Sequence, residues 1–256
     1  MKASVRALLD SLIDYAGLFP PASLPIDEAV RNYANYRRGE FAWALGRFVV
    51  PAARVGEVPR DFPLSVLATA DAIPDAEVIE VKAESAEEID VIEQQASRQT
   101  VYIEVSDFDL IEIIGYYNFR AKIRTGGVTA NAFPAINRVA AFIRECRQKH
   151  VPFKATAGLH HPIRCSKPLT YESHAPVGTM HGFVNVFLAA AMPEVAPDIL
   201  REENATAFRF DDDGVSFGDH RVTTDELRRV RKQIAISFGS CSFEEPIADL
   251  KELGWL

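Results

Sequence analysis

Charged residues recur at every second position in four short apolar segments of the chain. Glu80 and Lys82 alternate with Ile79, Val81 and Ala83, and Tyr102 and Glu104 with Val101, Ile103 and Val105. Lys122, Arg124 and Gly126 alternate with Ala121, Ile123 and Thr125, and Lys154, Thr156 and Gly158 with Phe153, Ala155 and Ala157. A period of two is that of a β-strand, whose successive side chains point to opposite faces. One face of each segment is therefore apolar, and the other mixes lysine, arginine and carboxylate. Taking one charge out of water costs several kcal/mol. If that face is enclosed, its charges must pair, hold an ionic ligand, or do both. The chemistry within reach is nucleophilic attack by Lys154 and proton transfer by Glu104. Lys122, Arg124 and Thr156 would bind an anion, helped by backbone N–H groups at Gly126 and Gly127. The plainer alternatives are a structural salt network or the solvated face of an antiparallel sheet.

Four of the six histidines, His160, His161, His174 and His181, fall just after the last of these segments. Residues 158–182 are rich in Pro, Gly, Ser and Thr, which predicts a long loop, and long ordered loops are often functional. His160 and His161 are candidates for proton transfer, and His174, His181 and Arg164 for substrate contacts. The histidine spacing fits no zinc motif and no HExxH is present, so no metal or other cofactor is predicted. A divalent metal on His160, His161, His174 and His181 is the alternative. Three further features take plainer readings. Residues 14–21, with Asp14, Gly17 and paired prolines, read as a helix terminator with packed aromatics. Cys241 has no base partner in view and reads as a structural thiol. Asp211 to Asp213 read as a hairpin turn rather than a calcium loop.

The elements that must position these groups alternate along the chain. Apolar segments at 45–50, 64–68, 77–82, 100–105, 120–125 and 152–157 read as strands. Helix-like stretches at 85–97, 107–117 and 133–149 lie between the later ones. A helix at 3–13, a second at 26–38, a basic helix from Thr224 and a closing helix at 246–254 complete the pattern. Residues 181–192 fit a strand or a helix equally, 208–222 read as a β-hairpin, and 234–238 as a strand. Strand and helix in alternation indicate parallel βαβ units. The 256 residues suit one (β/α)8 barrel of the TIM type spanning 1–256, with an N-terminal helix and a C-terminal β-hairpin insertion. An open doubly wound α/β sheet is the alternative, although no GxGxxG follows a strand.

The segment Lys154-Ala-Thr156-Ala-Gly158 resembles the lysine-bearing strand of class I aldolase barrels such as deoxyribose-phosphate aldolase. Lys122-Ile-Arg124-Thr-Gly126-Gly127 resembles the lysine and double-glycine strand of such enzymes. The resemblance covers these two stretches. It implies a Schiff base at Lys154, with Lys122 or Arg124 lowering its pKa.

Composition narrows the partners. A formal net charge of −8 argues against nucleic acid, which needs a concentrated basic surface. The densest basic run, Arg228, Arg229, Arg231 and Lys232, reads as a solvated helix face. No stretch approaches the ~18 apolar residues of a membrane span. Three cysteines, Cys146, Cys165 and Cys241, without a CxxC pair suit a reducing compartment, so the expected location is the cytoplasm. The apolar residues 17–24 would suit the interface of a homo-oligomer. The leading expectation is thus an aldolase-like lyase acting on a small anionic carbonyl compound. A metal-dependent hydrolase or lyase and a non-catalytic small-ligand binding protein are the alternatives.

Overall fold

The computed structural model describes residues 1–256. Seven strands come first: β1 (Ile13–Tyr15), β2 (Leu45–Pro51), β3 (Leu64–Leu67), β4 (Val78–Lys82), β5 (Thr100–Glu104), β6 (Arg120–Arg124) and β7 (Phe153–Thr156). An antiparallel pair, β8 (Cys165–Pro168) and β9 (Val177–Met180), follows within the histidine-bearing segment. A three-stranded antiparallel sheet comprises β10 (Phe208–Phe210), β11 (Gly214–Phe217) and β12 (His220–Thr223), and β13 (Ala235–Ser240) is last. Strands β1 to β7 and β13 are parallel and close into an eight-stranded barrel in the order β1-β13-β7-β6-β5-β4-β3-β2. The chain is a TIM-type α/β barrel, and the open doubly wound alternative is not realised.

The alternation read from the sequence builds the wall. On β5, Val101 and Ile103 point outward, as does Val105 beyond its end. They join Ile89 and Ile92 of helix Ala86–Gln95 and Ile111 and Ile114 of helix Ile111–Tyr116 in one cluster of 58 buried residues. Each such side chain contributes about 1.5–3 kcal/mol when fully buried. Ser85 starts the first of these helices, its Oγ accepting from the Glu88 N–H at 3.3 Å. Thr223 and Glu226 form a full capping box on helix Thr224–Gln233. The regular alternation lapses on one side: β2 reaches β3 through a 3-10 turn at Ala52–Glu57, and no helix joins β3 to β4. No helix is long and apolar enough to cross a membrane.

Several expectations need correction. The first helix stops at Leu9, and Ile13–Tyr15, read as its end and a terminator, is a barrel strand. Its outward Tyr15 packs among Tyr33, Tyr36 and Phe48, so the aromatic packing is present on a strand. The ambiguous stretch is the helix Phe183–Ala191, buried nearly all round, with Phe183 stacked 4.9 Å from Phe238 of β13. The hairpin gains a third strand, and Asp211 Oδ1 caps its first turn by accepting from the N–H groups of Asp213 and Gly214 at 2.9 Å. The basic run is not wholly solvated, because Arg231 is buried. Its Nε donates to Leu8 O at 2.7 Å and Nη2 to Asp10 O at 3.0 Å, and Nη1 donates to the carbonyls of Ala235 and Ile236.

That guanidinium ties the first helix to the last barrel strand. Arg231→Met strips four carbonyls of their donor and is expected to lower the unfolding free energy by roughly 3 kcal/mol. A urea midpoint equal to that of the wild type would show that the tie is dispensable.

Candidate functional site

The inward faces of β4, β6 and β7 meet in a chain of ion pairs. Glu80 reaches two lysines, Lys154 at 2.5 Å through Oε1 and Lys122 at 2.9 Å through Oε2. Lys122 also contacts Glu104 of β5 at 3.0 Å, and Lys154 contacts Asp14 of β1 at 2.7 Å. The strand register explains the order, since Glu104 lies beside Lys122 and Lys122 beside Lys154. Hydroxyls complete the shell: Ser65 of β3 donates to Glu80 at 2.7 Å and Ser237 of β13 to Asp14 at 2.8 Å. The Arg47 N–H donates to Asp14 Oδ1 at 2.7 Å. Gly46 makes that approach feasible, because a Cβ there would stand 2.2 Å from the same oxygen.

Burial alone would depress the Lys154 ammonium, but Asp14 and Glu80 outweigh it and hold the pKa above the ordinary lysine value. Burial alone would raise Glu80, but Lys122 and Lys154 outweigh it and hold the carboxyl well below the usual carboxylate range. The shifts agree in describing charged partners. The expectation that Lys122 or Arg124 lowers the pKa of Lys154 is therefore overturned. Glu80 stands between the two lysines, and Arg124 is exposed at the strand end.

Above this floor a cavity of about 370 Å³ opens at the C-terminal ends of the strands. Glu104, Lys122, Arg124, Lys154 and Thr156 all line it, as do Gly127 and His160. Gly126 does not. A Cβ at Gly126 would stand 2.4 Å from the Phe133 ring and 2.9 Å from Gly158 Cα, so its bareness serves close packing of two strand ends. The turn after β7 is strained: Ala157 and Gly158 lie at φ +61° and +73°. Thr125 steadies it by donating Oγ1 to the carbonyls of Thr156 at 3.1 Å and Ala157 at 2.8 Å. A non-glycine residue at positive φ beside a cavity is where proteins commonly store functional strain.

The histidines separate. His160 stands on the rim, with Nδ1 3.2 Å from Glu245 Oε2 and 3.9 Å from Cys241 Sγ. Burial would lower its pKa, but Cys241 and Glu245 prevail and raise it to about 9. Cys241, which lacked a partner in the sequence, thus lines the cavity beside an imidazole. The other three histidines, and Arg164, lie outside the cavity lining. His161 Nδ1 bonds Asp249 Oδ2 at 2.6 Å. His174 is exposed in the turn between β8 and β9. His181 is buried, its Nε2 bonded to Pro134 O at 2.8 Å and its Nδ1 without a partner. Arg164 pairs with Glu203 at 3.3 Å. The structure therefore does not bring His161, Arg164, His174 and His181 together with the lysines at the cavity. No group of three or more His, Cys, Asp or Glu side chains is arranged to hold a metal ion, and the four histidines do not assemble one.

Asp14, Ser65 and Ser237 belong to the network yet were not singled out as site residues. The period of two on 64–68 points Ser65 inward beside Leu67, and that signal was available. Asp14 gave none that could outweigh the helical spacing before it.

No family model matches the chain, and no curated protein matches it. Six chains of solved structures match, among them a lysine/ornithine decarboxylase from Vibrio vulnificus complexed with cadaverine. That likeness has a TM-score of 0.38 and 16% identity, covering 60% of this chain and 48% of the other. The chain thus spans about half the length of that protein, and similarity at this level bears on neither activity nor ligand.

The two shifts set opposite pH limits. Glu80, held low, stabilises fully above the unfolded-state value of about 4.3 and loses that contribution as pH falls further. His160, raised to about 9, stabilises fully below its ordinary value of 6.5 and loses the contribution as pH rises through about 9. Urea midpoints across the pH range are expected to fall off on both sides. His160→Gln should flatten the alkaline limb, and an unchanged alkaline slope would remove His160 as its source. Glu80→Gln should cost roughly 3 kcal/mol at neutral pH, because Lys122 and Lys154 each lose one of two carboxylate partners.

Proposed function

We propose that the chain is a barrel enzyme of the lyase class, aldolase-like, acting on a small anionic carbonyl compound through a Schiff base. The observation that supports it is the pair of adjacent lysines on the cavity floor, one of them in contact with a carboxylate, Glu104, that is open to the cavity. A lysine attacks a carbonyl only as the neutral amine, so its proton must have somewhere to go. Both acids around Lys154 are nearly inaccessible, at 5% and 2%, and its own side chain is 1% exposed at the bottom of the cavity. One acid beside Lys122 is Glu104, which is 16% exposed and lines the open cavity. The geometry therefore favours Lys122 as the nucleophile, with Lys154, expected from the sequence in that role, as the fixed cation that positions Glu80.

The steps balance as follows. Lys122 passes a proton to Glu104, and the amine attacks the carbonyl carbon to give a carbinolamine. Glu104 returns the proton to the departing hydroxyl, releasing water and leaving an iminium ion. The iminium draws in the electron pair of the bond between its α- and β-carbons while the β-hydroxyl gives up its proton, leaving an enamine and a carbonyl fragment; protonation of the enamine carbon and addition of water then free Lys122. Arg124, Thr156 and the Gly127 backbone hold the anionic group, and His160 on the rim supplies or accepts a proton for the departing fragment.

Borohydride reduction of the wild-type protein with a panel of 2-oxo acids and aldehydes is expected to add one substrate mass to Lys122. The adduct should vanish in Lys122→Met. An adduct on Lys154 would return the nucleophile to that residue, and no adduct with any member of the panel would remove the Schiff base from the mechanism.

A further inference from the structure

The cavity wall is divided by polarity, and the division follows strand order. Every residue that β1 to β3 and the loop after β1 give to the cavity is apolar, including Phe19, Pro20, Pro21, Val49 and Leu67. Every lining carboxylate, lysine and arginine comes from β4 to β7. In the closed order, β2 lies four strands from β6 in either direction, so Val49 faces Arg124 across the mouth.

Arg124 differs from the other lining cations. Lys82 is paired with Glu84, Lys122 with Glu80 and Glu104, Lys154 with Asp14 and Glu80, and His160 with Glu245. Arg124 makes no ion pair. A guanidinium left free at a cavity rim, with a glycine backbone alongside at Gly127, is suited to bidentate capture of a carboxylate. Directly across, nothing offers a hydrogen bond through a side chain, so only an apolar group is stabilised there.

We infer that the ligand is amphiphilic: a carboxylate held by Arg124, with an apolar body laid against Val49, Leu67 and the Phe19–Pro21 segment. The volume of about 370 Å³ is more than twice the ~150 Å³ that holds benzene. It admits an arylalkyl or branched aliphatic acid and is poorly filled by a two-carbon or three-carbon acid. This inference rests on the carbonyl reading only for the reacting group, which the Lys122–Glu104 pair would meet between the two ends. On that basis the substrate class is a 4-hydroxy-2-oxo acid with a sizeable apolar group on C4, the hydroxyl being what lets the C3–C4 bond break.

Binding of saturated acids separates the two ideas, because these have no carbonyl for a lysine to attack. Titration calorimetry of the wild-type protein with acetate, butanoate, hexanoate and 3-phenylpropanoate is expected to show about three- to fourfold tighter binding per added methylene. Hexan-1-ol, apolar but uncharged, should bind at least about tenfold more weakly than hexanoate, in keeping with a lost charged hydrogen-bond pair. Arg124→Met should weaken all the acids by a similar factor. Leu67→Asn, at a partly exposed position that tolerates exchange, should reduce the gain per methylene. Acetate binding as tightly as hexanoate, hexanol matching hexanoate, or no acid binding at all would overturn the inference. Graded binding of saturated acids without any borohydride adduct would leave this ligand class standing and remove the Schiff base alone.

Discussion

One carboxylate holding two ammonium groups is the constraint on which the interior of this protein depends. Glu80 bridges Lys122 and Lys154 and gives each buried ammonium one of its two carboxylate partners. The requirement spreads outward: Lys154 needs Asp14, Asp14 needs the Arg47 N–H and Ser237, and Glu80 needs Ser65. All eight barrel strands are thereby drawn into one set of polar contacts. An apolar filling would have served the wall equally well, and replacing buried ion networks with apolar residues is often stabilising. A charged filling is what the proposed proton transfer between Lys122 and Glu104 would use.

The same division of labour appears at the mouth. Lys154, Glu80 and Asp14 are the least accessible of the charged groups, whereas Glu104 and Arg124, with Lys122 beneath them, are the more open part of the cavity lining. The positive-φ turn at Ala157 and Gly158, clamped by Thr125, delivers His160 to the rim beside Cys241. Rigid floor and shaped rim together are what preorganised catalysis requires, since the dipoles and charges are set before a reaction begins.

Much of this was legible in the sequence, and the losses have physical causes. Strands β2 to β7 and the inward set Glu80, Glu104, Lys122 and Lys154 follow from the period of two alone. Strand β1 escaped because three residues cannot outweigh the helical spacing of Val5, Leu8, Leu9 and Leu12 just before them, and Asp14 was lost with it. Asp14, on that strand, is the first of the two acids that raise the Lys154 pKa, so the depression implied by the aldolase resemblance does not hold. The histidines misled differently. Their nearness in sequence is undone by the β8–β9 pair, which carries His174 out to solvent and returns the chain to His181 beneath Pro134. Cys241 and His160 are 81 residues apart, a pairing no local pattern reveals.

The network also has an order in time. Asp14 meets Lys154 across 140 residues and Ser237 across 223, so these contacts close nearly the whole chain upon itself. Loop-closure entropy makes such contacts the costly ones to form, and they are rewarded only once the ends have met. Until β1 docks between β2 and β13, Lys154 has only Glu80 as an acid partner, and Glu80 is shared with Lys122. The interior of this barrel reaches electrostatic balance only when its first and last strands come together, so its charges act as a check on completed folding.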